Sequence, residues 1–299
     1  MSALLAGRTA VVTGAGRGIG RATATMLAEL GAAVVVNDLG TTTDGVGSDE
    51  GPAREAVREI EAAGGRAIAS TASVTDFAAV DRMMTDAVAR FGGIDIVVNN
   101  AGLTAGQPIW EMDPETFQRV SASHALGTFN CIRCAAPHLR ARGGGRIVNL
   151  VSRAGLVGMP GAAAYAAGKG AVFALTNVAA RDLQPFGITV NAVNPASTET
   201  RMVTQAVERG RAAGGASAER AAKLLATLQS PEDVARLIVG LCLDDAAGVT
   251  GQVFLVSHDR IGLFRPLAVD QDAVLDAPTV EAVSRVLRGF HLHPIDSPY

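Results

Sequence analysis

The sequence predicts an α/β protein built on one doubly wound parallel sheet with helices on both faces. Short apolar runs alternate with longer helical stretches over about 250 residues, the rhythm of repeated βαβ units. Thirty-four glycines occur in a chain that is 48% hydrophobic and 18% charged, which suits many tight strand-to-helix turns. The length of 299 residues fits one α/β domain of generous size.

Taken in order, residues 8–13 read as a short buried strand and 17–30 as a helix, with Gly14-Ala-Gly16-Arg17-Gly18-Ile19-Gly20 between them. Residues 32–38 are the second strand. Glycines placed between a strand and a helix let the backbone turn tightly and approach a pyrophosphate, whose charge is met by amide N–H groups at the helix N-terminus. This makes the sheet Rossmann-like. Asp38 ends the second strand where a carboxylate accepts from both hydroxyls of an adenine ribose and repels a 2′-phosphate, so NAD is expected over NADP. Arg17 argues the other way, since a guanidinium pairs with such a phosphate.

A polar, glycine-rich loop covers 41–52. Helix 53–63, strand 66–70, helix 75–91 and strand 94–98 follow, ending in Asn99-Asn100-Ala101-Gly102. Asp113-Pro114-Glu115 starts a helix running to about 140, with an Asp cap and Pro in the first turn; it carries His124. Strand 145–151 delivers Ser152, helix 162–185 carries Tyr165 and Lys169, and 188–193 is the next strand. Residues 196–229 break the rhythm with small residues and read as a lid over the crevice. Ser230-Pro-Glu-Asp233 caps another helix, and 252–256 is a last strand. The expected organisation is a dinucleotide-binding and catalytic domain over 1–257 and a C-terminal extension over 258–299. In that extension 280–288 reads as helical, and Phe264, Pro266 and His291-Leu-His-Pro-Ile suggest an arm packed on a neighbouring subunit.

Tyr165 and Lys169 are four apart in an Ala-rich run, so a helix sets the ammonium beside the phenol. A nearby cation favours the phenolate and moves it toward the pH where acid–base catalysis is effective. The chain has two tyrosines and two lysines, against 24 arginines. The competing reading is an ordinary helix with a half-exposed Tyr and a solvated Lys.

Net charge is −3 with no basic stripe, which argues against nucleic acid and acidic membranes as partners and leaves a small-molecule substrate. Three cysteines make no disulfide framework, and Cys131 and Cys134 read as small core residues. His291 and His293 lack further ligands, so no metal is expected. No secretory pattern or membrane-length apolar run is found, and a cytoplasmic protein is expected.

Together these residues resemble the short-chain dehydrogenase/reductase family over about residues 7–256. The resemblance rests on Thr13-Gly14-Ala-Gly16-Arg17-Gly18-Ile19-Gly20, on Asn99 to Gly102, on Tyr165-x-x-x-Lys169 and on Ser152, thirteen residues before the tyrosine. It implies that Tyr165 exchanges a proton with the substrate oxygen, Ser152 hydrogen-bonds that oxygen, and Lys169 holds the nicotinamide ribose. It extends the cofactor set to Ser73, where an aspartate is usual, Val74, Pro195 and Thr200. His124 stands where the family has the asparagine of a proton relay; it either takes that part, titrating near neutral pH, or merely packs under the site. Ala196 replaces a usual glycine. The family also implies a homodimer or homotetramer. Val36-Asn-Asp-Leu-Gly40, the long loop and His124 look like the hydroxyacyl-CoA dehydrogenase part of peroxisomal multifunctional enzymes and their bacterial relatives. A natural-product ketoreductase using NADPH and a non-catalytic dinucleotide sensor are the alternatives.

Overall fold

The computed structural model describes residues 3–264, 271–273 and 280–290. Strands and helices alternate through β1 (Thr9–Thr13), α1 (Gly18–Glu29), β2 (Ala33–Asn37), α2 (Gly51–Ala62), β3 (Arg66–Ser70), α3 (Phe77–Phe91), β4 (Ile96–Asn99), α4 (Pro114–Ala141), β5 (Gly145–Leu150), α5 (Arg153–Val157), α6 (Ala163–Leu183) and β6 (Ile188–Pro195). The helices α7 (Arg201–Ala213), α8 (Gly215–Ala226) and α9 (Pro231–Gly240) precede β7 (Val253–Ser257) and β8 (Arg260–Leu263), and α10 (Val280–Gly289) lies in the tail.

The eight strands form one sheet in the order β3-β2-β1-β4-β5-β6-β7-β8. All neighbours pair parallel except β7 and β8, which are antiparallel. The strand runs look continuously apolar because alternate residues serve two cores. Ala10, Val12, Val34, Val36, Ile96 and Val98 face a core completed by α1, α2 and α9. Val11, Val35, Val97, Ile147 and Val190 face the other, completed by α3, α4 and α6. Cys131 and Cys134 are buried in this second core, and burial pushes the Cys131 thiol up to about 12, as expected of an inert apolar residue.

The helix starts follow their caps. Asp113 accepts from Thr116 N at 2.8 Å with Pro114 in the first turn, and Ser230 and Asp233 form a reciprocal capping box. Four features differ from the sequence expectation. The stretch after Ser152 contains the short helix α5, and residues 196–229, where the sequence breaks its rhythm, contain two helices, α7 and α8. Helix α6 stops at Leu183, and Pro185 continues only as a 3₁₀ turn. The sheet gains β8, reached through a turn in which His258 has φ +54°.

Contacts divide the chain into 1–263 and 264–299. The first unit passes the expected boundary at 257 because β8 pairs with β7. Within the second unit α10 buries Ala282. Pro266 and 291–299, including His291 and His293, lie outside the described residues.

Gln229 ties both ends of the 196–229 segment to the sheet. Its Nε2 donates to Thr198 Oγ1 at 3.1 Å and to the Val256 carbonyl at 3.2 Å, and its Oε1 accepts from His258 N at 2.7 Å. The residue is 1% exposed, so these bonds are made inside the protein rather than shared with solvent. Gln229→Ala leaves buried polar groups unpaired and should cost about 2 kcal/mol of stability, read as a lower urea midpoint; an unchanged midpoint would deny the amide this role.

Candidate active site

The strand order reverses between β1 and β4, and the crevice at their carboxyl ends is where ligands of open α/β sheets bind. The two loops there are in direct contact. A Cβ on Gly14 would lie 2.9 Å from Ala101 Cα, and one on Gly20 would lie 2.6 Å from Asn100 Nδ2. Asn100 Nδ2 donates to the Thr13 and Gly14 carbonyls at 2.9 and 3.0 Å, while Thr13 Oγ1 accepts from the N–H of Asn100 and of Ala101. Asn100, which the sequence places in the motif after β4, is thus a structural member of the site, a role that only its pairing with the glycine turn reveals.

Of the expected cofactor residues, Gly14 lies in the turn and Gly18, Ile19 and Gly20 in the first turn of α1, with Arg17 extended as the residue before it. A Cβ on Gly16 would lie 2.7 Å from Pro52 Cβ and 2.8 Å from Asp38 Oδ2. The first turn of α1 has no side-chain cap and no acidic residue, so its N–H groups keep their capacity for an anion. Asp38 Oδ2 and Oδ1 accept from Gly16 N and Gly40 N at 2.9 and 2.7 Å, fixing the carboxylate beside the turn. Ile19 instead packs its side chain on the core. Val74 is held by Asn130, whose Nδ2 donates to its carbonyl at 2.9 Å, and Ser73 shares a hydroxyl bond with Thr75. Asn99 donates to Asn149 Oδ1, the Asn149 amide donates on to Thr176, and the Asn99 Oδ1 is a buried acceptor without a donor among the described residues. Pro195 ends β6, and the Thr200 methyl lies 3.3 Å from where Gly18 would carry a Cβ. An uncapped helix start, a cradle of glycines and a positioned carboxylate fit a dinucleotide.

Ser152, Tyr165 and Lys169 converge at the end of β5. Ser152 caps α5, its Oγ accepting from Ala154 N at 3.2 Å. Helix α5 presses on the first turns of α6 so closely that a Cβ on Gly155 would lie 2.5 Å from the Lys169 carbonyl carbon. This seals Lys169 at 6% exposure, with Nζ donating to the Leu150 carbonyl at 2.6 Å and lying 5.8 Å from the Tyr165 ring centroid. Burial pulls the Lys169 ammonium down from 10.5 to about 7.

His124 lies beneath this group, its ring edge-on to Tyr165 with centroids 5.1 Å apart. Nε2 is 2.7 Å from the Leu103 carbonyl, so it carries the proton, and Nδ1 is a buried acceptor without a partner among the described residues. A Cβ on Gly102 would overlap the imidazole, and one on Gly168 would lie 2.9 Å from His124 Cβ. Two glycines therefore make the space for a ring. Burial first, and the Lys169 charge second, hold the His124 pKa well below its ordinary value. The expectation of an imidazole titrating near neutral pH is corrected: His124 is neutral there.

Lys169 leaves a signature in the cofactor-free protein. Below pH 7 its ammonium is charged in both folded and unfolded chains, and the burial cost is fully present. Between about 7 and 10.5 the folded chain has released the proton while the unfolded chain still holds it, so stability rises with pH. Thermal unfolding should therefore show Lys169→Met more stable than the parent at pH 7, the advantage narrowing toward pH 10.5; parallel curves would contradict the buried ammonium.

Comparison with known proteins agrees with this geometry. The family model described as short chain dehydrogenase matches residues 8–210. The chain is 40% identical over 274 residues to the hydroxyacyl-CoA dehydrogenase ChsB1 of Mycobacterium tuberculosis, covering 88% of itself and 81% of that relative. It is 38% identical over 264 residues to a 3-oxoacyl-acyl-carrier-protein reductase of Synechocystis sp., covering 87% and 99%. A solved short chain dehydrogenase from Mycobacterium avium superposes with a TM-score of 0.79 at 35% identity, covering 97% of this chain and 98% of that one. Matches of this length and identity make the chain a member of the short-chain dehydrogenase family, and an oxidoreductase.

Proposed function

We propose that the protein is an NAD-dependent dehydrogenase that interconverts a secondary alcohol and a ketone on a bulky apolar substrate, a 3-hydroxyacyl-CoA or a hydroxysteroid. The observation that carries this reading is the buried Lys169 beside Tyr165 at the end of β5. The bound nicotinamide supplies hydride acceptance or donation. Tyr165 takes the substrate hydroxyl proton in oxidation and returns it in reduction. Ser152 Oγ, oriented by its bond from Ala154, donates to the substrate oxygen. Lys169, while its ammonium is charged, favours the phenolate. His124, neutral and edge-on, holds the phenol ring in place and is a positioning residue.

The substrate class is supported from two sides. The loop after β4 is tied to the stretch before α6, Gln107 N donating to the Gly161 carbonyl at 2.9 Å. These two segments expose Ile109, Trp110, Val157 and Met159, an apolar rim for an acyl chain or ring system. The Mycobacterium tuberculosis relative is named for hydroxyacyl-CoA chemistry. A second reading, reduction with NADPH, is favoured by Arg17 in the glycine turn and by the Synechocystis relative.

Leu126 and Phe129 on α4 and Val178 on α6 are 42%, 46% and 56% exposed. These faces are the proposed contacts of a homodimer or homotetramer. Light scattering should report such an assembly, and Phe129→Glu should shift it toward monomer; a parent monomer would remove the proposal.

NADH should appear when the protein is given NAD with a panel of 3-hydroxyacyl-CoA esters and hydroxysteroids. Tyr165→Phe should bind NADH normally and lose turnover by about 10²-fold or more. His124→Ala should lower kcat by about tenfold without moving the acidic limb of the pH profile, since the imidazole is neutral throughout. Retained turnover in Tyr165→Phe would refute the acid–base assignment.

A further inference from the structure

The lid brings an arginine to the edge of the dinucleotide site. Thr200 caps α7 directly over the glycine turn, its Oγ1 accepting from Val203 N and its methyl facing Gly18. The next residue, Arg201, reaches the loop after β2, Nη2 donating to the Thr41 carbonyl at 2.7 Å. One turn further along α7, Gln205 Oε1 accepts from the Thr43 hydroxyl at 2.6 Å. The lid and the 39–50 loop are therefore joined at two points beside Asp38.

Arg201 also feels two charges there. Partial burial, and then Arg17, lower its pKa from the usual guanidinium value, while Asp38 raises it. Arg17 follows Gly16, whose N–H holds Asp38, and Arg201 follows Thr200, whose methyl faces Gly18, so two arginines and one carboxylate border the same turn, a net charge of +1. Among the described residues neither guanidinium is in a salt bridge, and the Asp38 oxygens are already directed at Gly16 N and Gly40 N. The uncapped start of α1 lies on the same turn. An anion between the arginines would relieve their repulsion and balance the cluster.

We infer that Arg201 is a cofactor-binding residue delivered by the lid, its guanidinium joining Arg17 to grip a phosphate of the dinucleotide. This rests on the dinucleotide reading of the site. Because α7 carries the charge, cofactor binding and lid position are coupled: the cofactor fastens the lid base while α7 and α8 remain available to the substrate.

The test is the dissociation constant of NADH and of NADPH, measured by titration calorimetry for the parent, Arg201→Ala, Arg201→Gln and Arg201→Lys. Ala and Gln should each weaken binding about tenfold, Lys should retain most of it, and the salt dependence of binding should be shallower in Ala. Equal losses for NADH and NADPH assign the pyrophosphate; loss for NADPH alone assigns a ribose 2′-phosphate. Arg201→Gln keeps an N–H donor for the Thr41 carbonyl without the charge, so full affinity in that variant would make Arg201 a neutral latch and overturn the inference. Parent-like binding of both cofactors by a folded Arg201→Ala would overturn it as well. A parent protein that binds neither dinucleotide would instead overturn the cofactor reading, and this inference with it.

Discussion

The arrangement of the site depends on keeping one ammonium out of water. Lys169 is 6% exposed and donates to a single backbone carbonyl, Leu150 at the end of β5. A charge in that position is held only because the surrounding backbone leaves it nowhere to go. Gly155 lets α5 lie on α6 without an intervening side chain, and Ser152 starts α5 by capping it. Ser152, Tyr165 and Lys169 are therefore one packing unit rather than three independent choices. A change that relieves the burial of Lys169 removes a cost to stability, the kind of cost that functional sites commonly carry.

The glycines of the crevice serve contact more than flexibility. Gly14 and Gly20 allow the turn after β1 to touch the loop after β4, so the Thr13 hydroxyl and the Asn100 amide lock the two together. The sheet supplies the split at the switch point, and these bonds fix its width. Asp38 is fixed by the same turn through Gly16 N. The residues expected to hold adenosine and those expected to hold the reacting end are thus referred to one rigid frame.

What the sequence made legible was local. Strand and helix alternation shows in runs of Val and Ala, and Tyr165 with Lys169 shows as a four-residue spacing on one helix. Asp113 and Ser230 announce their helices through caps one turn long. The helix α5 was hidden because five residues bounded by Ser152 and Gly158 show no period, and the helices of the lid because Gly210, Gly214 and Gly215 interrupt theirs. Asn100, Gln229 and Arg201 were hidden for another reason: their partners Thr13, His258 and Thr41 are 87, 29 and 160 residues away. A polar residue whose partner is distant in sequence carries no pattern until the chain is folded.

His124 shows how the fold selects a protonation state that the residue type leaves open. An imidazole in place of an amide suggests a titrating relay. In the fold it lies in the seam between α4 and α6, 2% exposed, on the same side as Lys169. Two cations cannot share so dry a space, and the Leu103 carbonyl accepts the one proton that neutral His124 carries. Protonating Nδ1 would require a buried acceptor, and none stands there among the described residues. Of the two buried groups beside the Tyr165 phenol, Lys169 and not His124 is the one that titrates near neutral pH. The imidazole contributes shape: Gly102 and Gly168 give it room, and it gives the phenol a flat edge to stand against.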